Sequence, residues 1–557
     1  MKKFRFKYTF AIIFILLFAF GLRFYRLDKV PVGLFGDELD IGYQAYSLWK
    51  TGKDYFGNSF PLYFQSFYEF RMPLLVYLTA PVVGLFGLSE WTVRFLPALF
   101  GILNTFLFWL LLRKTGNSFL AIIAALIMAI SPWHIHYSRA AFDVTLMISL
   151  LLSATIFYIK GLKDYRWLPI SMILFGLSFY AYSTSVIFLL FFLPTLVIFT
   201  KKQLVKIEKR AAYSSLIVLA VVCMPLIISM ISGKASSRFS GINITSDPQI
   251  VDQIIFKRSQ DGGGGRIYHN KLVSYSKVFL ANYLTSFSPQ FLFISGDTNP
   301  RHSPVGFGQL YYTFLPFLLI GVFSAAKDKD IYSKIFLSWL ILSPIPSSLT
   351  SDGAGHATRL FLMVPPLVFF ISFGMVKVID ALKGKIKFVF ALIIITVTSL
   401  EMGLFLHDYF YHYPRESWEY FNFGHKQIFQ KLTEQSNDYD WVYVNGRHDP
   451  PLISFLFWGK VDPAWFQDNY RGQDWKDNIV SGFNGYAMDK YYFGEVKPNG
   501  VLDLLDSSVL YVAFQNDEIP GDWNWQQSPP KGVKTLEMVK EPIDNQPYIY
   551  LLTGNEN

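Results

Sequence analysis

Between residues 8 and 406 the chain is a succession of apolar runs of about 17 to 22 residues, each long enough to cross a ~30 Å hydrocarbon core as a helix. Of the 557 residues, 52% are hydrophobic, 18% aromatic and only 16% charged, a balance that excludes a soluble protein of this length. The runs stop at 406, and the charge changes sign there. After that point 12 Lys and Arg face 22 Asp and Glu, which leaves 38 against 19 before it, so the net charge of +9 joins a basic membrane region to an acidic C-terminal region. The basic residues sit in short clusters between apolar runs, not along one stripe, which argues against nucleic acid as a partner.

Six basic clusters orient the chain, because short cytoplasmic loops are enriched in Lys and Arg. They are Lys2 to Lys7, Arg113 with Lys114, Lys160 to Arg166, Lys201 to Arg210, Lys327 to Lys334, and Lys377 to Lys387. Keeping all six inside requires two crossings between neighbours, which the runs 8–25, 94–112, 118–133, 144–159, 167–181, 184–199, 211–231, 308–326, 332–346 and 359–376 supply. A last run, 387–406, exits. The expectation is a polytopic α-helical membrane protein of about eleven spans, with a cytoplasmic N-terminus, in the cell membrane. Pro73 to Leu88 is apolar too, but it is short and holds Pro81; it is placed in the outer interface, since a crossing there would reverse every later cluster. The membrane region is then 1–406, with outer loops 26–93, 134–143, 232–307 and 347–358, and 407–557 is a small extracytoplasmic α/β domain. That domain is expected to hold a helix over 416–432 and strands at 441–445, 509–514 and 548–552.

Several features carry little. Cys223, the single cysteine, lies inside an apolar run, so neither a disulfide nor a cysteine metal site is available. The N-terminal run is followed by Arg23 to Leu27 and no small-residue cleavage site, and reads as an uncleaved anchor. Gly262 to Gly265 fits neither a phosphate loop nor a dinucleotide fingerprint, and the Asn243-Ile244-Thr245 sequon reads as chance.

The chemistry falls on the outer side. Asp37, Glu38 and Asp40 place three carboxylates in four residues just beyond the first membrane exit; the plain alternative is that Asp37 caps the helix that follows. Phe70-Arg71-Met72-Pro73 opens the interfacial segment and Leu85-Phe86-Gly87-Leu88-Ser89-Glu90-Trp91-Thr92-Val93-Arg94 closes it. Asp143 stands at the mouth of a span, where an ionisable group needs a partner or a solvated cavity. Arg139, one turn earlier, is the obvious partner, and an ion pair pinning two helix ends is the bland reading of both. His134 and His136 complete no third-ligand pattern and read as interfacial side chains, so no metal site is assigned. His356 and Arg359 flank the mouth of a later span; a guanidinium fork suits a phosphate, and snorkelling is the competing explanation.

Taken in order, these segments resemble the GT-C superfamily of membrane glycosyltransferases, in particular the family-39-type branch of aminoarabinose transferases and protein O-mannosyltransferases. The resemblance covers roughly residues 10–420. It rests on Asp37-Glu38, on Arg71-Met72-Pro73-Leu74, on the phrase closing at Arg94, on Asp143, on His356 and Arg359, and on the aromatic exit His407-Asp408-Tyr409-Phe410. It implies a GT-C fold that transfers a sugar from a polyprenyl-phosphate donor, undecaprenyl or dolichyl, to a hydroxyl of a lipid, glycan or protein acceptor. Asp37 then acts as catalytic base in an inverting displacement, with Glu38 and Asp143 as further catalytic carboxylates. Arg71, Arg359, His356 and Arg139 take the donor phosphate. No cofactor is required: a divalent ion is compatible with three neighbouring carboxylates, but a lipid-phosphate leaving group does not demand one. A transporter or lipid flippase is the main rival, although its polar residues belong near the bilayer midplane of paired halves. A glycan polymerase or ligase shares the topology but commonly lacks the early acidic pair.

Overall fold

The computed structural model of the chain describes residues 2–67, 70–231, 243–261, 265–446, 451–470, 472, 474–496, 504–514 and 533–555. The glycine run at 262–264 and the start of the outer loop at 232–242 lie outside them. The described residues divide into two compact units. One comprises 1–25, 69–75 and 94–409, the other 26–68, 76–93 and 410–557.

The first unit is helical. Among the described residues six helices are long and apolar enough to cross a membrane: Glu90–Arg113, Val144–Gly161, Thr184–Leu204, Lys209–Ser229, Phe361–Ala381 and Gly384–Tyr411. Shorter apolar helices include Tyr8–Phe24, Ser118–Ile130 and Tyr312–Lys327. Burial sorts them. The apolar window of Phe361–Ala381 is 78% buried, and that of Gly384–Tyr411 only 6%, so the first is a core helix and the second presents its side chains outward.

Helices of equal apolarity gain little by mutual contact in lipid, so close backbone approach and polar bridges hold them together. Gly321 and Gly374 allow the approach: a Cβ on Gly321 would lie 1.9 Å from the Phe370 carbonyl oxygen, and one on Gly374 would lie 2.0 Å from that of Phe317. Polar bridges cross elsewhere. Asn104 Nδ2 donates to the Thr145 carbonyl at 3.0 Å while its Oδ1 accepts from Ser149 Oγ at 2.6 Å. Glu401, on the outward-facing last helix, accepts from Thr313 N at 3.2 Å and Thr313 Oγ1 at 2.5 Å, so its charge sits at the start of helix Tyr312–Lys327, where unpaired N–H groups favour it.

The second unit is built on a seven-stranded mixed sheet. Its strand order is Lys476–Val480, Phe483–Met488, Tyr491–Val496, Trp441–Asn445, Val509–Phe514, Pro547–Gly554, Val533–Lys540. Trp441–Asn445 pairs parallel with both its neighbours, and every other pairing is antiparallel. Val509–Phe514 and Pro547–Gly554 are buried at every position, as their near-continuous apolar sequences require. Ile428, Phe429 and Leu432 form the buried face of helix His425–Gln435.

That helix begins nine residues later than the expected 416. Asn422 (φ 49°) and Gly424 (φ 85°) both take the left-handed conformation, which no α-helix can run through. Helix Gly36–Thr51 belongs to this unit as well. Its Gly42 stands against the Phe457 ring, and Tyr43 Oη donates to the Val461 carbonyl at 3.1 Å. Helix Pro73–Phe86 carries Pro81 as expected, and its Gly84 fits under the Trp49 indole.

The glycine contacts yield a signed pair of expectations. Gly374→Val forces a branched side chain onto a carbonyl and should lower the melting temperature of the detergent-solubilised protein by the equivalent of about 3 kcal/mol. Gly403→Ala, on a helix position with nothing within 4 Å of the added Cβ, should leave it unchanged or raise it. Thermal unfolding of both variants beside the wild type checks the contrast; equal melting temperatures would contradict it.

Candidate active site

In the helical unit a cluster of buried polar residues gathers around the end of the first helix, Lys2–Phe24. A helix terminus leaves its last carbonyls without intrahelical donors. Arg139, fully buried, supplies them: Nη1 donates to the Leu22 and Arg23 carbonyls at 2.9 and 3.0 Å, and Nη2 donates to that of Tyr25 at 2.8 Å. The cation also lies 5.7 Å from the Tyr409 ring centre.

Arg23 is buried beside it. Its Nη1 donates to the Ala129 carbonyl at 3.1 Å, and its Nη2 meets His134 Nδ1 at 2.6 Å. A guanidinium has no acceptor, so His134 Nδ1 must be the unprotonated nitrogen of a neutral ring. Burial, and then the Arg23 charge, holds that ring's pKa well below the usual histidine value.

His136 is neutral for the same reasons. Its Nε2 donates to the Arg301 carbonyl at 2.9 Å, which leaves Nδ1 to accept from Tyr409 Oη at 3.2 Å. Burial lowers its pKa to about 3, and the Arg139 and Arg94 charges act in the same direction.

A second cluster gathers at the mouth of span Phe361–Ala381. Arg359 donates to Thr350 Oγ1 at 2.7 Å and holds Asp352 through both Nη atoms, Nη2 reaching Oδ2 at 3.1 Å. Burial opposes the Asp352 charge, but the bond to Arg359 and its field outweigh it and keep the carboxyl below its usual range. The Arg359 side chain is 13% exposed and that of Asp352 58%, so the pair is a largely covered cation under a carboxylate open to solvent. His356 stacks on His302, ring centres 4.6 Å apart, and His302 Nδ1 meets Asp297 Oδ2 at 3.0 Å. Burial, then the nearby Arg359, lowers the His356 pKa to about 3.

In the sheet-containing unit the early acids stand on helix Gly36–Thr51. Phe35 takes the N-cap position, which puts Asp37 and Glu38 in the first turn, where carboxylates are favoured by the unpaired N–H groups. Asp37 is half-buried and Glu38 fully buried. Asp40 is buried and accepts from Tyr55 Oη at 2.7 Å. Behind them Gln44 Nε2 donates to the Gln65 carbonyl at 2.7 Å. The same unit holds a polar cavity of about 400 Å³ beside the Lys426–Glu90 ion pair (2.8 Å), lined also by Asn422, Gln430 and Trp458.

Residues 71–228 match the family described as dolichyl-phosphate-mannose-protein mannosyltransferase. The putative mannosyltransferase YycA of Bacillus subtilis is 26% identical over 218 residues, 35% of this chain and 31% of that relative, so the match spans about a third of the relative's length. Among solved structures, ArnT from Cupriavidus metallidurans bound to undecaprenyl phosphate superposes with a TM-score of 0.54 at 12% identity, covering 97% of each chain. The chain carries the GT-C fold. The oligosaccharyltransferase AglB of Archaeoglobus fulgidus, in complex with an inhibitory peptide and a dolichol-phosphate, aligns at 15% identity and a TM-score of 0.49, over 82% of this chain and 63% of its own.

Within this GT-C fold the sequence-predicted residues stand on several elements. Asp37 and Glu38 share one helical turn. Arg71, buried, lies on the short strand Phe70–Arg71, and Asp143 occupies the N-cap position of helix Val144–Gly161. His356 and Arg359 share the last outer loop, and Arg139 holds the carbonyls of the first helix. The family match contains Arg71, Arg139 and Asp143 and ends before His356. Sequence reasoning passed over Arg23, Asp297, His302 and Tyr409 as site residues. For Asp297 and His302 the signal is the density of polar residues in Asp297-Thr298-Asn299-Pro300-Arg301-His302, and for Tyr409 it is its place in the aromatic exit His407-Asp408-Tyr409-Phe410.

Arg139 is where two roles separate by experiment. Loss of three buried bonds from a charged donor should cost about 3 kcal/mol or more, and lysine, with one compact ammonium, should restore only part of it. Arg139→Ala and Arg139→Lys should therefore show graded losses in melting temperature. A normal melting temperature combined with weakened lipid-phosphate binding would instead make Arg139 a ligand for the donor.

Proposed function

We propose that this chain is a glycosyltransferase that moves a sugar from a polyprenyl-phosphate donor to an acceptor hydroxyl at the outer face of the cell membrane. The observation that carries the reading is the GT-C fold, matched over 97% of the chain to a protein whose structure holds undecaprenyl phosphate. The mannosyltransferase family match over 71–228 supports the same class of reaction. The acceptor is a lipid, a glycan or a protein.

Eleven spans are proposed. The six long helices are joined by Tyr8–Phe24, Ser118–Ile130, Leu168–Ser178, Tyr312–Lys327 and Ile331–Leu342, and Pro73–Phe86 lies in the interface. The basic clusters then face the cytoplasm with the N-terminus, and residues 407–557 are extracytoplasmic.

In the proposed reaction Asp37 takes the proton of the acceptor hydroxyl and the acceptor oxygen bonds to the anomeric carbon from the face opposite the phosphate. The bond from that carbon to the phosphate oxygen breaks, and the lipid phosphate leaves with the electron pair, so the anomeric configuration inverts. Arg71 and Arg359 neutralise the charge gained by the leaving phosphate, Arg359 by exchanging the solvent-open Asp352 for phosphate oxygens. Glu38 and Asp143 are the supporting carboxylates.

Asp37→Asn keeps the shape and removes the basicity, so turnover should fall by about 10²- to 10⁴-fold while donor binding and melting temperature stay near wild type. A purified variant with normal turnover would remove Asp37 from the base role. Arg359→Ala should weaken donor use, with Arg359→Lys a partial rescue; unchanged use of the lipid donor would contradict the phosphate role. Reporter fusions after Arg210 and after Gly424 should give opposite signals, and equal signals would overturn the topology.

A further inference from the structure

We propose that Asp297, His302 and His356 form a binding site for one divalent transition-metal ion of the zinc class, which clamps two outer loops of the helical unit to each other. One carboxylate oxygen and two imidazole nitrogens from these residues lie within 4.8 Å of one another. Ligand atoms around a tetrahedral zinc stand about 3.4 Å apart, so small side-chain rotations bring the three to coordinating distance. Asp297 Oδ2 and His302 Nδ1 are already 3.0 Å apart, and the ion takes the place of the proton they share.

The carboxylate is positioned by the backbone and does not depend on the histidines for its orientation. Asp297 Oδ1 accepts from Asn299 N at 2.9 Å, and Oδ2 accepts from Ala357 N at 2.9 Å. The second of these bonds fastens Asp297 to the residue after His356. His356 is turned to the same place by stacking on His302, and its buried Nδ1 has no hydrogen-bond partner among the described residues. A buried ring nitrogen left without a partner loses solvation for nothing in return, and a coordinated ion restores it.

The donor set selects the ion. Two imidazoles and one carboxylate suit zinc and its neighbours in the first transition row, whereas calcium and magnesium require an oxygen shell. The three protein ligands leave a fourth position for water or another oxygen ligand. No spacing pattern in the sequence announces the site, because the ligands come from loops that precede two different spans.

This inference is independent of the glycosyltransferase reading, and its test uses metal content rather than turnover. The full-length, tag-free protein in detergent is stripped with a chelator, reloaded with zinc, washed, and analysed by elemental mass spectrometry. One zinc per chain is expected, with a rise in melting temperature on reloading. Asp297→Asn, His302→Gln and His356→Gln should each lose the bound zinc and the rise. Cobalt loaded into the wild type should show the visible ligand-field bands of a nitrogen- and oxygen-ligated tetrahedral ion, which tests the site even where a variant fails to fold. A wild-type protein that retains no stoichiometric zinc, a cobalt spectrum equal to that of the aqueous ion, or variants that retain as much zinc as the wild type would each overturn the proposal.

Discussion

The last carbonyls of the first helix have no intrahelical donors of their own. The structure answers this with Arg139, whose guanidinium is spent on the carbonyls of Leu22, Arg23 and Tyr25. Arg23 lies alongside and binds the Ala129 carbonyl and His134. Two cations buried this closely need acceptors, since an unpaired buried charge costs several kcal/mol. Carbonyl dipoles and the neutral His134 ring supply them, and burial together with the Arg23 charge keeps His134 uncharged. Arg23 and Arg139, with the short helix Pro132–Tyr137 between them in the chain, thus fix the end of the first helix against the second outer loop.

The same economy of charge runs through the outer surface of the helical unit. Arg359 is largely covered, with a side chain 13% exposed, but it faces a carboxylate that solvent can reach. Arg139 instead donates to three carbonyls at the end of the first helix. Two arginines that look equivalent in sequence therefore differ in their surroundings: one faces a carboxylate open to solvent, and the other holds a helix end. Asp37 and Glu38 differ in a similar way. They share a helical turn, but Glu38 is fully buried and Asp37 half-exposed, which leaves Asp37 as the member that a substrate can reach.

Much of the membrane architecture was legible because each long apolar run has one solution in hydrocarbon, and the strands 441–445, 509–514 and 548–552 were legible because they are apolar and β-branched or aromatic. Lys476–Val480, Phe483–Met488 and Tyr491–Val496 were not, since charged residues and the glycines 485 and 494 dilute their alternation. The helix expected over 416–432 loses its first half to left-handed Asn422 and Gly424, and asparagine in a helical pattern gives no warning of this. In the candidate site, residues close in sequence were found and residues brought together by folding were missed. The bonds from Arg139 to the carbonyls of the first helix had no sequence signal, because carbonyls at the end of a distant helix leave no trace in a side-chain pattern. His302 and Asp297 escaped for the same reason, their third companion His356 lying in another loop.

The proposed reaction requires that a lipid-phosphate sugar is the donor and that its anomeric centre inverts. The most direct measurement incubates the purified protein with a panel of polyprenyl-phosphate sugars and envelope acceptors, follows release of polyprenyl phosphate, and determines the anomeric configuration of the product by nuclear magnetic resonance. The account predicts release of one equivalent of polyprenyl phosphate per sugar transferred and a product of opposite configuration to the donor. A product that retains the donor's configuration, or transfer that draws on a nucleotide sugar and releases no lipid phosphate, would contradict it.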